Sequence, residues 1–242
     1  MRKLIFLFFL LTSCNNSKEY FENSYCIENI NIIDSVNGLK KNMTIVIRGT
    51  STVSDVLEDM NASSIKVDDW ANNLLNTNLE AGGRQEMITL LAEEYNYFGS
   101  NPSSEDSITE LSQCLVHKQF LISALEIYAI IFKFLNDNQK SFFDYENINI
   151  CGHSMGGAVG TILSLLLYTI LFNKSIENEK KIPNINIDTF NPGSSFVNNV
   201  DNNSYPVENL KRQIKNNKKC NYSICNYIYR QDPVSRANLF RT

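Results

Sequence analysis

Blocks of apolar and polar residues along the chain predict strands separated by helices. Residues 43–48 form a short apolar run that predicts a buried strand, and the chain then turns at Gly49. Runs of similar length stand at residues 148–151, 185–190 and 224–229. Helical patterns separate these runs, so we expect the strands to lie mostly parallel in one sheet.

Several stretches between the strands have the spacing or composition of helices. In residues 53–60 the apolar side chains recur at i, i+3, i+4 and i+7, which predicts a short amphipathic helix. Residues 61–107 are predicted to form helices joined by polar loops. Residues 108–135 are predicted to form one long amphipathic helix. Residues 156–172 are nearly all apolar and carry no charge. A membrane span needs about 20 such residues, so we expect a buried helix behind the sheet.

The N-terminus has the form of an export signal. Arg2 and Lys3 precede an apolar run too short to cross a bilayer. The following Leu-Thr-Ser-Cys resembles a bacterial lipobox, in which the cysteine is lipidated and becomes the first residue. The resemblance implies a signal peptide at residues 1–13, a polar tether at 14–26 and acyl chains on Cys14 that anchor the protein to the bacterial cell envelope. The alternative is a secreted protein with an incidental cysteine.

Length, charge and cysteines limit the remaining possibilities. The 242 residues favour one large α/β domain, here residues 27–242. The formal charge is −4, and no cluster of Lys and Arg indicates a nucleic-acid partner. No residue spacing indicates a zinc site, and we expect no metal or cofactor. Cys220 and Cys225 flank a short segment and either form a disulfide or stay free, whereas Cys151 is expected to be a buried thiol.

One short motif carries the chemistry. Residues 152–156, Gly-His-Ser-Met-Gly, fit the G-x-S-x-G pattern of a nucleophile elbow, in which a serine stands on a tight strand-to-helix turn. A predicted strand precedes the motif and a predicted helix follows it. The helix N-terminus would direct free N–H groups and a positive dipole end at an oxyanion. We therefore predict that Ser154 is a nucleophile; the alternative is an ordinary serine in a glycine-rich loop.

Five segments occur in a fixed order: residues 46–55 (VIRGTSTVSD), 116–121 (VHKQFL), 152–158 (GHSMGGA), 188–193 (DTFNPG) and 230–236 (RQDPVSR). Together they resemble the class 3 lipases, the fungal-lipase-like branch of the α/β-hydrolase superfamily. The resemblance runs from about residue 43 to the end of the sequence. It implies an α/β-hydrolase fold with a mostly parallel central sheet and helices on both faces. It also implies hydrolysis of lipid esters by a lipase, phospholipase or carboxylesterase.

The same resemblance assigns further site residues. Thr50 would stabilise the oxyanion with its backbone N–H and hydroxyl, and Met155 would supply the second N–H. Asp232 would be the acid of the catalytic triad, although an Asp-Pro pair also forms ordinary turns. The helix at residues 53–60 matches the lid of the family, or else forms part of the core. The Asp69–Trp70 pair is a second candidate for the lid region.

The catalytic base is the missing part of this triad. A serine hydroxyl needs a base to remove its proton, and the sequence has only His117 and His153. His153 adjoins the nucleophile, and the turn should direct its side chain away. His117 lies in a segment that has a structural role in the family. The family's histidine follows the acid by tens of residues, and only ten follow Asp232 here.

Two explanations fit the missing base. The reading frame is truncated or split after residue 242, or the fold is that of a decayed lipase without its triad. In both cases we expect weak or no ester hydrolysis by the 242-residue chain. The competing functions are a non-catalytic lipoprotein that binds lipid or a protein partner, and a peptidase or thioesterase on the same fold.

Overall fold

The computed structural model describes residues 24–27, 30–37, 40–49, 64–69, 84–98, 110–192, 195, 205–216 and 221–229. Cys14, Thr50, Trp70, Asp232 and the helix predicted at residues 53–60 lie outside these residues.

Strands and helices alternate along most of the described chain. In chain order the strands are β1 (Ser24–Ile27), β2 (Ile30–Asn37), β3 (Lys40–Ile47), β4 (Ser64–Lys66), β5 (Leu115–His117), β6 (Asn147–His153), β7 (Asn184–Phe190) and β8 (Tyr222–Tyr227). The helices are α1 (Arg84–Phe98), α2 (Lys118–Asp137), α3 (Met155–Asn178) and α4 (Tyr205–Asn216), with 3-10 turns at Glu110–Gln113 and Phe142–Asp144.

The central sheet has six strands in the order β1-β2-β3-β6-β7-β8. The first three strands pair antiparallel, and β3, β6, β7 and β8 run parallel. Ile45, Ile150 and Ile187 are register partners across three of the parallel strands, and each is buried. The four strands expected from the apolar runs are therefore confirmed, as is their parallel arrangement. β1 begins at Ser24, within the segment predicted as a tether.

Helix α3 packs against the isoleucine face of the sheet. It begins directly after β6 and is buried from Gly156 to Phe172 except at Thr161. Its most apolar stretch has a mean hydropathy of 1.9, and 89% of that stretch is buried inside the protein. Helix α2 also has the length and composition of a membrane span, with 50% of its apolar stretch buried. The predicted buried helix after the motif is confirmed.

The prediction of one long helix at residues 108–135 is wrong for residues 110–117. A 3-10 turn ends at Gln113, β5 follows, and α2 begins only at Lys118. β5 pairs antiparallel with β4 in a separate two-stranded sheet, in which Ser64 lies opposite His117. The apolar spacing of these residues resembles that of a helix, but pairing with a strand about 50 positions earlier holds them extended.

The other face of the central sheet is polar. Asn147 donates a hydrogen bond to the side chain of Asn42 (2.7 Å) and accepts one from Asn184 (2.9 Å). One pair further along the strands, Asn186 donates to Asn149 (3.1 Å). All five asparagines are half-buried. Side-chain amides thus form ladders across neighbouring strands on this face.

Cys151 and Cys225 are thiols that form no disulfide. Cys225 is exposed and unpaired, so the disulfide considered between Cys220 and Cys225 does not form in this structure. Cys225 lies in the middle of β8, where its position is set by pairing with β7. Cys114 is buried, and Cys151 is half-buried rather than fully enclosed. Within the described ranges, no group of His, Cys, Asp and Glu is arranged to hold a metal ion.

Candidate active site

Ser154 occupies the sharp turn between the end of β6 and the start of α3. Its backbone has φ 53° and ψ −122°, outside the regions that a serine ordinarily adopts. Such a conformation costs about 1–3 kcal/mol and persists only where the surroundings hold it. The residue is 6% exposed. The strand-turn-helix context and strained serine expected of a nucleophile elbow are both present.

The two glycines of the motif allow backbone segments to approach closely. A Cβ on Gly152 would lie 2.2 Å from the carbonyl oxygen of Gly156 and 2.7 Å from the nitrogen of Gly157. A Cβ on Gly156 would lie 2.5 Å from the carbonyl oxygen of Ile47, at the end of β3. These contacts involve backbone atoms, which cannot rotate away. The turn therefore requires glycine at both positions.

The same contacts bring the end of β3 to the nucleophile turn. The Cβ position of Gly156 is 2.9 Å from the carbonyl carbon and oxygen of Arg48. A Cβ on Gly49 would be 2.6 Å from the carbonyl oxygen of His153. Thr50 is the next residue in the sequence and lies outside the described part. The chain that leads into Thr50 is thus packed directly on the turn that carries Ser154.

Backbone hydrogen bonds hold the turn on its other side. The N–H of Ser154 donates to the carbonyl of Phe190, at the end of β7 (2.9 Å). The carbonyl of Ser154 accepts from Gly157 (3.0 Å) and Ala158 (3.2 Å), which starts the helix. Met155 is the first helical residue, so no carbonyl within α3 can accept its N–H. That N–H stands at the positive end of a 24-residue helix.

Asn191 joins the end of β7 to the end of β8, and the sequence patterns did not indicate this role. It has φ 44° and is 7% exposed. Its N–H donates to the carbonyl of Tyr227 (2.8 Å). Its side-chain oxygen accepts a hydrogen bond from the N–H of Tyr229 (2.6 Å). The Asn-Pro pair in the sequence signals a turn, but the side-chain contact depends on a strand 38 residues away.

Ser195 is a second residue that the sequence patterns did not indicate. It is 8% exposed, and its hydroxyl donates to the carbonyl of Ala158 (3.0 Å) in the first turn of α3. The chain after β7 is therefore bonded to the first turn of α3.

Cys151, three residues before Ser154, is kept in its neutral form. Burial raises the pKa of Cys151 to about 11, and the neighbouring carboxylate of Asp188 adds to the increase. Asp188 is the register partner of Cys151 on β7. A thiol with this pKa is almost fully protonated near pH 7 and is a poor nucleophile. Cys151 is therefore not a reactive thiol near pH 7.

The two histidines occupy different parts of the fold. His117 ends β5 in the two-stranded sheet and stands at the N-terminal boundary of α2. Its Nδ1 atom is buried without a hydrogen bond to any described residue, and its ring packs against Phe120 at a centroid distance of 5.3 Å. His153 ends β6 and is the register partner of Phe190. His117 thus lies outside the central sheet that carries Ser154.

Comparison with known proteins identifies the family. The family model described as lipase (class 3) matches residues 44–241. The fold is similar to the Rhizomucor miehei lipase propeptide complex, at 16% identity and a TM-score of 0.46, over 89% of this chain and 50% of that one. It is also similar to the Lip2 lipase of Yarrowia lipolytica, at 21% identity and a TM-score of 0.44, over 86% and 57%.

The chain thus spans about half the length of these solved lipases. No curated protein matches the sequence. The family match includes β3, the Ser154 turn, β7 and β8, and the observed mixed, mostly parallel sheet agrees with it. The chain therefore belongs to the class 3 lipase family and has the α/β-hydrolase fold.

Proposed function

We propose that this protein is a serine hydrolase of lipid esters whose nucleophile is Ser154. The observation that carries the proposal is the strained Ser154 turn, held between β6 and α3 in a chain of the class 3 lipase family. The two solved structures named above are lipases, which supports an ester of a fatty acid as the substrate. The position of Ser154 at the N-terminus of a buried helix suits stabilisation of negative charge.

The reaction would proceed in two steps. The oxygen of Ser154 attacks the ester carbonyl carbon as a base removes the hydroxyl proton, and the carbonyl oxygen becomes an anion. The N–H groups of Met155 and Thr50 donate hydrogen bonds to that anion. The alcohol leaves with the proton, and an acyl group stays on Ser154. Water then attacks the acyl group and releases the fatty acid. Asp232 would orient the base through a hydrogen bond.

This mechanism also needs a base, and we assign that role to no residue of the 242-residue chain. We assign the role to neither His117, in the separate sheet, nor His153, next to the nucleophile. We therefore propose that the 242-residue polypeptide works at the residual level that oxyanion stabilisation and binding provide, about 10³–10⁴-fold above water. A lipoprotein that binds lipid without hydrolysis is the second candidate function, and the unassigned base is the observation that favours it.

The burial of Ser154 supports a cover over the site. At 6% exposure the residue is inaccessible to a bulky ester unless part of the surrounding chain moves. Lids that open at a lipid surface provide such movement. The segment at residues 53–60 and the Asp69–Trp70 pair remain our candidates. Lipidation of Cys14, supported by the lipobox-like sequence, would hold the site at the membrane of the cell envelope.

The proposal is tested with a fluorophosphonate probe, which reacts with activated serines, and with added imidazole. Imidazole is small enough to take the place of a missing histidine side chain. We expect slow labelling of Ser154 that imidazole accelerates, and no labelling of Ser154→Ala. Ser175→Ala is the matched control, because it removes another buried hydroxyl of α3, one that donates to Phe172 (2.6 Å).

Hydrolysis of a fluorogenic acylglycerol, measured in parallel, should follow the same pattern. Absence of labelling in wild type, with and without imidazole, would contradict the proposal and favour the non-catalytic function. Fast labelling without imidazole would show that a histidine of this chain is the base. His153→Ala and His117→Ala would then identify which one.

A further inference from the structure

We propose that Asn191 is a positioning residue of this site. Its side chain fixes the end of β8 against the end of β7, and so sets where the chain leading to Asp232 begins. The inference rests on the proposed function, because it matters for catalysis only if Asp232 is the acid. The contacts that support it all lie within the described residues.

The side chain of Asn191 replaces a backbone group of the sheet. In a parallel ladder, one residue donates its N–H to a carbonyl of the next strand and accepts from the N–H two positions further on. The N–H of Asn191 donates to Tyr227, as the ladder requires (2.8 Å). The N–H of Tyr229 is therefore the next donor of the ladder. It donates to the side-chain oxygen of Asn191 (2.6 Å).

The left-handed backbone of Asn191 explains this exchange. At φ 44° the chain leaves the direction of β7, so the strand cannot continue. Glycine would adopt this conformation at the lowest cost but has no side-chain acceptor. Asparagine and aspartate tolerate it and carry an oxygen at the required reach. Asn191 is thus suited both to turn the chain and to extend the β8 pairing by one hydrogen bond.

The same short segment is bonded to the nucleophile. The residue before Asn191 is Phe190, whose carbonyl accepts the N–H of Ser154 (2.9 Å). The adjacent residues Phe190 and Asn191 therefore bond to Ser154 and to Tyr229, respectively. Asp232 follows Tyr229 by three positions, so their Cα atoms lie at most about 11 Å apart. Fixing Tyr229 against Asn191 restricts the region that the Asp232 carboxylate can reach.

Residue-resolved hydrogen exchange on the full chain tests the contact directly. Asn191→Gly keeps the left-handed backbone and removes the acceptor. We expect the Tyr229 amide to exchange at least tenfold faster, while the residue 191 amide, bonded to Tyr227, stays protected within twofold. Asn191→Asp restores an acceptor and should restore protection of Tyr229. An unprotected Tyr229 amide in wild type, or equal exchange in Asn191→Gly, would overturn the inference.

The effect on the site is read from imidazole rescue of Ser154 labelling. We expect the ratio of labelling rates with and without imidazole to fall at least fivefold in Asn191→Gly and to recover in Asn191→Asp. A purely structural role would lower the melting temperature without changing this ratio. An unchanged ratio in a wild type that does respond to imidazole would overturn the positioning role. A wild type that never labels would instead contradict the proposed function, and the exchange experiment would still decide the contact.

Discussion

Replacing one glycine of the nucleophile turn with alanine should disrupt the site, whereas the same change one helical turn later should not. Gly156 and Gly160 both lie in α3, four positions apart. A Cβ on Gly156 would be 2.5 Å from the Ile47 carbonyl oxygen and 2.9 Å from the Arg48 carbonyl group. On Gly160 it would be 3.1 Å from a methyl of Ile150 and 3.5 Å from one of Ile47.

The two substitutions differ in what has to move. Ordinary contacts begin near 3.4 Å, so Gly156→Ala must displace the backbone end of β3 by roughly 1 Å in a close-packed region. Overpacking of this kind costs about 1–3 kcal/mol. Gly160→Ala needs only a small side-chain adjustment. The higher helix propensity of alanine should also stabilise α3 by up to about 1 kcal/mol.

We expect Gly156→Ala to lose about 2 kcal/mol, which lowers the melting temperature by about 4–8 °C in a chain of this size. Gly160→Ala should stay within about 2 °C of wild type. Thermal unfolding by circular dichroism measures both. Fluorophosphonate labelling should fall only in Gly156→Ala, because the Ile47 and Arg48 carbonyl groups are pushed away from the Ser154 turn. If Gly156→Ala unfolds and labels like wild type, the end of β3 does not pack on the nucleophile turn.

The remaining predictions concern the ion pair between α3 and α1 and the thiols. Lys174 in α3 binds Glu94 in α1 at 2.6 Å, and the Glu94 side chain is 4% exposed. Lys174→Met should lower the free energy of unfolding, measured with urea, by about 3–5 kcal/mol, because it leaves a buried carboxylate unpaired. The double variant with Glu94→Leu should return to within about 1–2 kcal/mol of wild type; a double variant as unstable as Lys174→Met would contradict this account. At pH 8, iodoacetamide followed by peptide mapping should modify the exposed Cys225 and leave Cys151 unmodified, because a thiol of pKa about 11 is only about one-thousandth ionised there. Modification of Cys151 should rise as the pH approaches 11, and fast modification at pH 8 would refute the assigned protonation state.

The elements that the sequence predicted best are those set by local pattern. The apolar runs located β3, β6, β7 and β8, and the motif around Ser154 located the turn. At the motif, the strand β6, a turn between two glycines and the buried helix α3 follow one another along the chain. Such signals need no knowledge of distant residues.

Elements that depend on distant pairing were not predictable in the same way. β5 is extended because β4 pairs with it, and its apolar spacing alone favoured a helix. β1 and β2 were not predicted at all, although β2 pairs along its length with β3. The role of Asn191 likewise depends on where β8 ends.

A readable signal was present for the polar face of the sheet. Both β6 and β7 begin Asn-Ile-Asn-Ile, a strict alternation. Parallel strands that are covered on both faces usually read as continuous apolar runs. The alternation therefore indicates that this part of the sheet has one apolar and one polar face, in agreement with the half-buried asparagine ladders. The apolar-run reading found the strands but not this difference between their faces.

The supports around Ser154 bear on the choice between hydrolysis and binding alone. Three elements hold the residue in a strained conformation: the end of β3 through Gly156, the Phe190 carbonyl of β7, and the first turn of α3. A protein that only bound lipid would gain about 1–3 kcal/mol by relaxing that turn. A strained serine that three elements hold in place is the geometry expected of a reactive serine, and labelling of Ser154 in the presence of imidazole is the measurement that decides it.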